Sequence, residues 1–396
     1  MEIEKQYQFA SEIMRELCVN IGARQTGSYK HKQAEKYITE CMTEAGFQTE
    51  VQSYTCPAWE FKGLELFDEE GKYPAIVNIY SRPCDVKAKI ITASNLSELE
   101  NKEFTGKILV LHDKLTEQQF VAKNFDIFKI DIQEKAIEFI EAKNPTAIIT
   151  ISQKDEDFPP LIEDSDFKIP SITVSNSTGK EILKKENMEM NLIINSENFT
   201  STSSNIVSRT TFGRKNRVVI CAHYDTKYNT PGAVDNATGI TAMLLLAKLI
   251  DTEKLNVDLE FIAFGSEDNY YPGDLEYFSK NQEYMKNVCL AVNIDGIAMK
   301  GQNNAMAFLG ENEEVKGKIF SFKDKFEKIE IIEPYFEGDQ SFFFFRGIPT
   351  ISFTSKEIFQ YIDKIIHTEK DTFDKVDIER IMEIVDFVKE YLYEIL

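Results

Sequence analysis

Apolar positions change their period several times along this chain, and each change marks a different element. Phe9, Ile13, Met14 and Leu17 recur at helical spacing. After a turn in GARQTGS, residues Ala34, Tyr37, Ile38, Cys41, Met42 and Ala45 predict a second helix over 29–45, with Gly46 as its C-terminal cap. FQTEVQSYTC then alternates as a strand does. From about 63 to 198 short strand-like pieces (75–79, 88–92, 107–111, 147–151, 171–174) are separated by acidic loops. A helix over 133–142 stops before Asn144-Pro145, because the residue preceding proline avoids helical backbone. A second short helix is expected after Thr178-Gly179. Beyond Ser201 the pattern becomes regular. Apolar runs at 218–222, 259–264, 288–294 and 350–353 alternate with helical segments, which predicts crossover units and a mostly parallel or mixed sheet. The last segment, 376–396, is an amphipathic helix with Ile378, Ile381, Met382, Val385, Val388, Leu392 and Ile395 on one face.

Composition narrows the class. At 396 residues two domains are expected, and the texture divides them as 1–62 with 199–396, interrupted by an inserted domain at 63–198. Hydrophobic content of 42% and charged content of 28% fit a soluble globular protein. A net charge of -21 argues against nucleic acid and anionic membrane partners, both of which attract basic patches. Six scattered cysteines without a C-x-x-C pair read as reduced thiols. With no signal-peptide pattern and no apolar run of membrane-spanning length, a cytoplasmic protein is expected. Oligomeric state is not readable.

The candidate chemistry collects at the carboxyl ends of the late strands, where open α/β sheets place their sites. The run at 218–222 leads into His223 and Asp225, two apart and therefore on one side of extended chain. The next runs into Glu267-Asp268, the third into Asp295, and the fourth is followed after a loop by His367. Asp235 is expected at a helix N-terminus near Asn236, where unpaired N–H groups and the helix dipole favour an anion. Each has a plain alternative: Asp295-Gly296 as a turn, Asp235-Asn236 as a cap, Glu267-Asp268 as a solvated pair, His367 as a surface residue. Together, two imidazoles and several carboxylates suit a borderline divalent metal, above all zinc. The surplus of carboxylates suggests two ions about 3.5–4 Å apart with Asp235 as bridge. Asp225 would accept the other ring N–H of His223. Glu267, left unligated, could move the proton of a metal-activated water to a leaving amine. His112, beside Asp113 with no second ligand cluster near it in sequence, is expected to be structural.

CAHYDT, PGAVDNATG, FGSED, VNIDG and HTEKDT, in that order, resemble the co-catalytic zinc aminopeptidases, the family that includes glutamate carboxypeptidase II, transferrin receptor and the animal glutaminyl cyclases. RQTGSYKHKQAEKYI, with Arg24, Gly27 and Ser28, is similar to the family's opening helix and turn. GKILVLHDK and PSITVS make residues 63–198 similar to a protease-associated domain. The resemblance implies a three-layer αβα zinc-exopeptidase fold with a mixed, mostly parallel sheet and a smaller inserted α+β domain. It also implies removal of the N-terminal residue of a peptide, with two Zn2+ per chain. One ion would be held by His223, Asp295 and bridging Asp235, the other by Asp235, Asp268 and His367, with Glu267 as general base. Three positions depart from the family pattern: Asp268 stands where Glu is usual, Ile366 where many members carry a tyrosine, and Gln340 where relatives often have histidine. HYDTKY also keeps glutaminyl cyclisation open as an alternative, Arg346 a carboxypeptidase, and the family's precedent a degenerate binding protein. The aromatic-rich stretches 269–274 and 342–346 are expected to be pocket wall or core.

Overall fold

A computed structural model describes residues 1–123 and 130–394. The chain divides into one unit made of Met1–Cys56 and Ser201–Leu396, and a second made of Pro57–Thr200. Two long strands, Gln48–Phe67 and Glu189–Arg209, pair with each other and contribute residues to both units.

In the first unit the strands Thr350–Ser355, Val288–Ile294, Arg217–His223 and Asp258–Phe264 lie side by side in that order, all parallel. Strand Asn304–Leu309 runs antiparallel beside Thr350–Ser355, and residues 206–209 close the other side antiparallel to Asp258–Phe264. Asn304–Leu309 was not expected from sequence. The register brings Cys221 opposite Asn293, Asn293 opposite Ser352, and His223 opposite Phe264. The four parallel strands therefore end in step, and the loops leaving them converge.

Their near-continuous apolar runs follow from burial on both faces. Val218, Ile220 and Ala222 point into the larger core, while Val219 and Cys221 face a second one. On the first side the helix Thr238–Leu249, buried at every position from Thr238 to Ala247, packs against Ile3–Arg15 and Ile378–Glu394. On the second, Tyr277, Phe278, Phe342 and Phe343 come from helices Pro272–Lys280 and Gln340–Phe344. Helix, sheet and helix make three layers. Phe342 and Phe343 are thus core, whereas Phe345 is 62% exposed. The expected face of the C-terminal helix includes Ile395, which with Leu396 lies outside the described residues.

In the second unit Cys84–Ala93, Ile108–Leu111, Ala147–Ile151 and Ser171–Val174 are parallel neighbours, with helices Leu96–Asn101 and Asp131–Lys143 in the connections. Antiparallel partners join them at Ile76–Val77, beside Ser171–Val174, and at 189–194, beside Cys84–Ala93, so the unit mixes both strand directions with helices. Helix Asp131–Lys143 stops where expected, its cap Asn144 in left-handed backbone (φ 44°). Helix Asn176–Leu183 starts before Thr178-Gly179 instead of after it, because Ser175 caps it by accepting the N–H of Thr178. Gly179 is required inside it, since a Cβ there would stand 2.3 Å from Ile151 Cγ2. Among the described residues no helix is long and apolar enough to cross a membrane.

Candidate metal centre

His223 is the last residue of its strand and 1% exposed. The chain then runs through a loop to Asp235, which lies upstream of the helix and not at its N-terminus. Its backbone is non-helical (φ −116°, ψ 95°), and the Asp235-Asn236 peptide is cis. Asn236 is the cap: its Oδ1 accepts the N–H of Gly239 at 2.9 Å, and its Nδ2 donates to the carbonyl of Ile294 at 2.8 Å. What holds Asp235 is Asp371, whose two carboxylate oxygens accept the N–H groups of Val234 (2.8 Å) and Asp235 (3.1 Å). The expected helix-dipole support is replaced by a carboxylate clamp.

The five expected ligands converge. His223 Nε2 lies 3.0 Å from Asp235 Oδ1 and 3.3 Å from Asp295 Oδ1. His367 Nε2 lies 3.0 Å from the other oxygen, Asp235 Oδ2, and 3.4 Å from Asp268 Oδ1. His367 takes a left-handed backbone (φ 63°) to reach in. The ligand atoms of each trio lie within 4.8 Å of one another, close enough for one ion to reach all three. Asp268 Oδ2 is buried with no hydrogen-bond partner, as a donor to a metal would be. Asp295 and His367 are the most open side chains of the set, at 22% and 27% exposure, which marks the approach for a substrate.

Glu267 Oε2 stands 3.9 Å from His223 Nε2, and its other oxygen accepts a hydrogen bond from the Tyr271 hydroxyl at 3.1 Å. Asp225 is fully buried. Its Oδ1 accepts the N–H of Glu267 (3.1 Å) and its Oδ2 the hydroxyl of Thr26 (3.1 Å). Oδ1 stands 3.4 Å from His223 Nδ1. Asp225 thus grips the turn carrying Glu267 and stands beside the ring nitrogen of His223 from which it was expected to accept.

Charge is crowded here. Burial pushes Glu267 up to about 8, with Asp295, Asp235 and Asp225 adding to the rise against the pull of His223. Burial and neighbouring Asp235 likewise raise Asp268 well above the carboxylate range. Burial favours neutral His367, yet Asp235 and Asp268 lift it to about 9. Five carboxylates around two imidazoles hold more negative charge than the site can neutralise, which is the environment a divalent cation relieves.

The remaining expectations sort out by contact. Ile366 is buried in the larger core and offers the site no hydroxyl. Gln340 is buried in structural bonds, accepting from Asn293 Nδ2 (2.7 Å) and donating to the Glu337 carbonyl (2.6 Å). Arg346 lies over the Phe278 ring and donates to the Phe342 carbonyl. His112 pairs locally with Asp113 at 2.9 Å.

Several supporting roles escaped the sequence reading. Arg24 is wholly buried and donates to the carbonyls of Leu17, Gly22, Tyr224, Pro231 and Gly232, pinning the loop that delivers Asp235. His31 Nε2 bonds the Gly265 carbonyl (2.9 Å) just before Glu267. Asp371 sat in the quoted HTEKDT stretch, but a carboxylate that serves backbone amides has no spacing signature. Asp274 and Asp339, both buried, come from distant segments and face each other.

Imidazoles and carboxylates at the carboxyl ends of a parallel sheet, with Asp235 between both groups, make a candidate metal centre. Residues 205–392 match the model of peptidase family M28. The chain is 22% identical over 268 residues to Aminopeptidase YwaD of Bacillus subtilis (strain 168), a match covering 64% of this chain and 58% of that relative. The chain therefore matches less than two thirds of that curated relative's length. Its fold is that of two solved structures. A zinc aminopeptidase from Bacillus subtilis superposes with a TM-score of 0.79 at 21% identity, covering 98% of this chain and 95% of the other. An aminopeptidase from Aneurinibacillus sp. strain AM-1 gives 0.76 at 20% identity, covering 99% and 93%.

Proposed function

We propose that this chain is a metal-dependent aminopeptidase that hydrolyses the N-terminal peptide bond of a peptide and holds two zinc ions. The observation that carries the reading is the division of Asp235, one oxygen 3.0 Å from His223 and the other 3.0 Å from His367. One ion would be held by His223, Asp235 and Asp295, the other by Asp235, Asp268 and His367, two of the three trios whose ligand atoms cluster among the described residues. Bound zinc lowers the pKa of water and polarises a carbonyl. Glu267, beside both trios and outside the proposed ligand sets, takes the attacking water's proton and delivers it to the departing amine. Asp225 holds the Glu267 turn by its backbone. The acidic cluster suits the cationic free amine of a peptide.

The name YwaD carries, aminopeptidase, supports the same activity here. We read Pro57–Thr200 as the protease-associated-like insert, on the GKILVLHDK and PSITVS stretches that form two of its parallel strands. The cytoplasm suits six free cysteines, three of them buried.

Metal analysis combined with a panel of aminoacyl-nitroanilides tests this. About two zinc per chain are expected, with activity lost to chelator. Glu267→Gln should keep its zinc while kcat falls about 10²–10⁴-fold. Zinc-loaded protein that cleaves no member of the panel would overturn the reading.

A further inference from the structure

The turn that delivers Glu267 continues into two consecutive aromatic residues in left-handed backbone, Tyr270 (φ 63°) and Tyr271 (φ 61°). Bulky residues rarely adopt this conformation, and where they do the surrounding structure enforces it. Here the N–H of Tyr271 bonds the Ser266 carbonyl at 2.9 Å, and its ring stands edge-on to Phe342 with centroids 5.2 Å apart. The strained backbone turns the side chain back over the residue four positions earlier. The hydroxyl is engaged at 3.1 Å by the N–H of Gly338, which takes a lone pair, and at 3.1 Å by Glu267 Oε1. A tyrosine hydroxyl carries a single proton. With the amide as donor, that proton goes to the carboxylate.

We propose that Tyr271 is a positioning residue for the general base. It commits Oε1 of Glu267 to a fixed hydrogen bond, so that Oε2, on the His223 side, is the oxygen that moves the proton. Tyr271 acts through Glu267. Nothing in the spacing of FGSEDNYYPGD reveals this, because the contact depends on the left-handed turn. The inference rests on the aminopeptidase reading with Glu267 as base, and its test separates the two.

Tyr271→Phe keeps the ring packing and removes the donor. Its kcat on an aminoacyl-nitroanilide is expected to fall about tenfold, with KM within about twofold and zinc content unchanged. Placed in Glu267→Asp, whose carboxylate is one methylene shorter and withdrawn from the hydroxyl, the same change should cost less than about twofold. Tyr271→4-aminophenylalanine, which retains an N–H donor, should keep kcat within about threefold of the parent. It also serves as the deciding variant should the phenylalanine protein lose zinc or fold. Unchanged kcat in Tyr271→Phe, an equal loss in both backgrounds, or failure of the amino analogue to rescue would overturn the proposal. Full activity in Glu267→Gln would instead remove the base assignment on which it stands.

Discussion

Asp371 shows what individual residues contribute beyond the ligands themselves. By accepting from two consecutive backbone amides it fixes Asp235 without touching the metal positions. Asp371→Ala should leave the fold intact and weaken zinc binding about 10–100-fold, as loss of such supporting partners does. Chelator competition measures this, and wild-type affinity in the variant would deny the clamp its role. Asp274 and Asp339 present a different case: two buried carboxyls face each other and cannot both ionise cheaply. Burial first, and then Asp225, push Asp274 up to about 7, against the opposing influence of Asp339 and His223. A carboxyl whose folded pKa is raised takes up a proton on folding. Stability therefore falls as pH rises from about 4, its unfolded value, to about 7, and levels off above that. Asp274→Asn should flatten this fall. Melting curves in chelator from pH 4 to 8 should show a smaller drop than wild type, and parallel curves would contradict a shared proton. The clustering of His223, Asp235, Glu267, Asp268, Asp295 and His367 was legible in the sequence because acids and imidazoles recur where apolar runs end. Asp371 and the Asp274–Asp339 pair were not, since each acts through a contact that only the folded chain creates.

At the scale of elements, the sheet was readable where its strands are buried on both faces and therefore apolar throughout, as at Arg217–His223 and Asp258–Phe264. Asn304–Leu309, equally buried, was passed over because its six residues lie between polar turns with no helix leading in. The start of helix Thr238–Leu249 was placed two residues early, since Asn236 caps it from outside by accepting the N–H of Gly239. That helix approaches the neighbouring strand through Gly239, where a Cβ would stand 2.1 Å from the Ile294 carbonyl and 2.4 Å from Asn236 Oδ1. Gly239→Ala is expected to cost about 1–3 kcal/mol by overpacking, and to lower zinc content by displacing the cap beside Asp235. Gly317, inside the exposed face of helix Glu313–Lys323, meets nothing within 4 Å. Gly317→Ala should raise stability by about 0.5–1 kcal/mol with zinc unchanged. Denaturant unfolding of the pair checks both, and equal effects would mean that the close approach is not tight.

For the whole molecule, a fold shared at 20–21% identity with two solved aminopeptidases tolerates wide change in side chains. The frame is set by buried strands and helices. Because a crowd of carboxylates must be held together in the folded state only, zinc should bind that state preferentially and raise the melting temperature with concentration. The central claim is that Asp235 is shared between two ions. Crystals grown with zinc and measured at its absorption edge test it most directly. Two anomalous peaks about 3.5–4 Å apart, one beside His223 and Asp295, the other beside Asp268 and His367, with one Asp235 oxygen on each, are expected. A single peak, or peaks that leave Asp235 unbound, would contradict it.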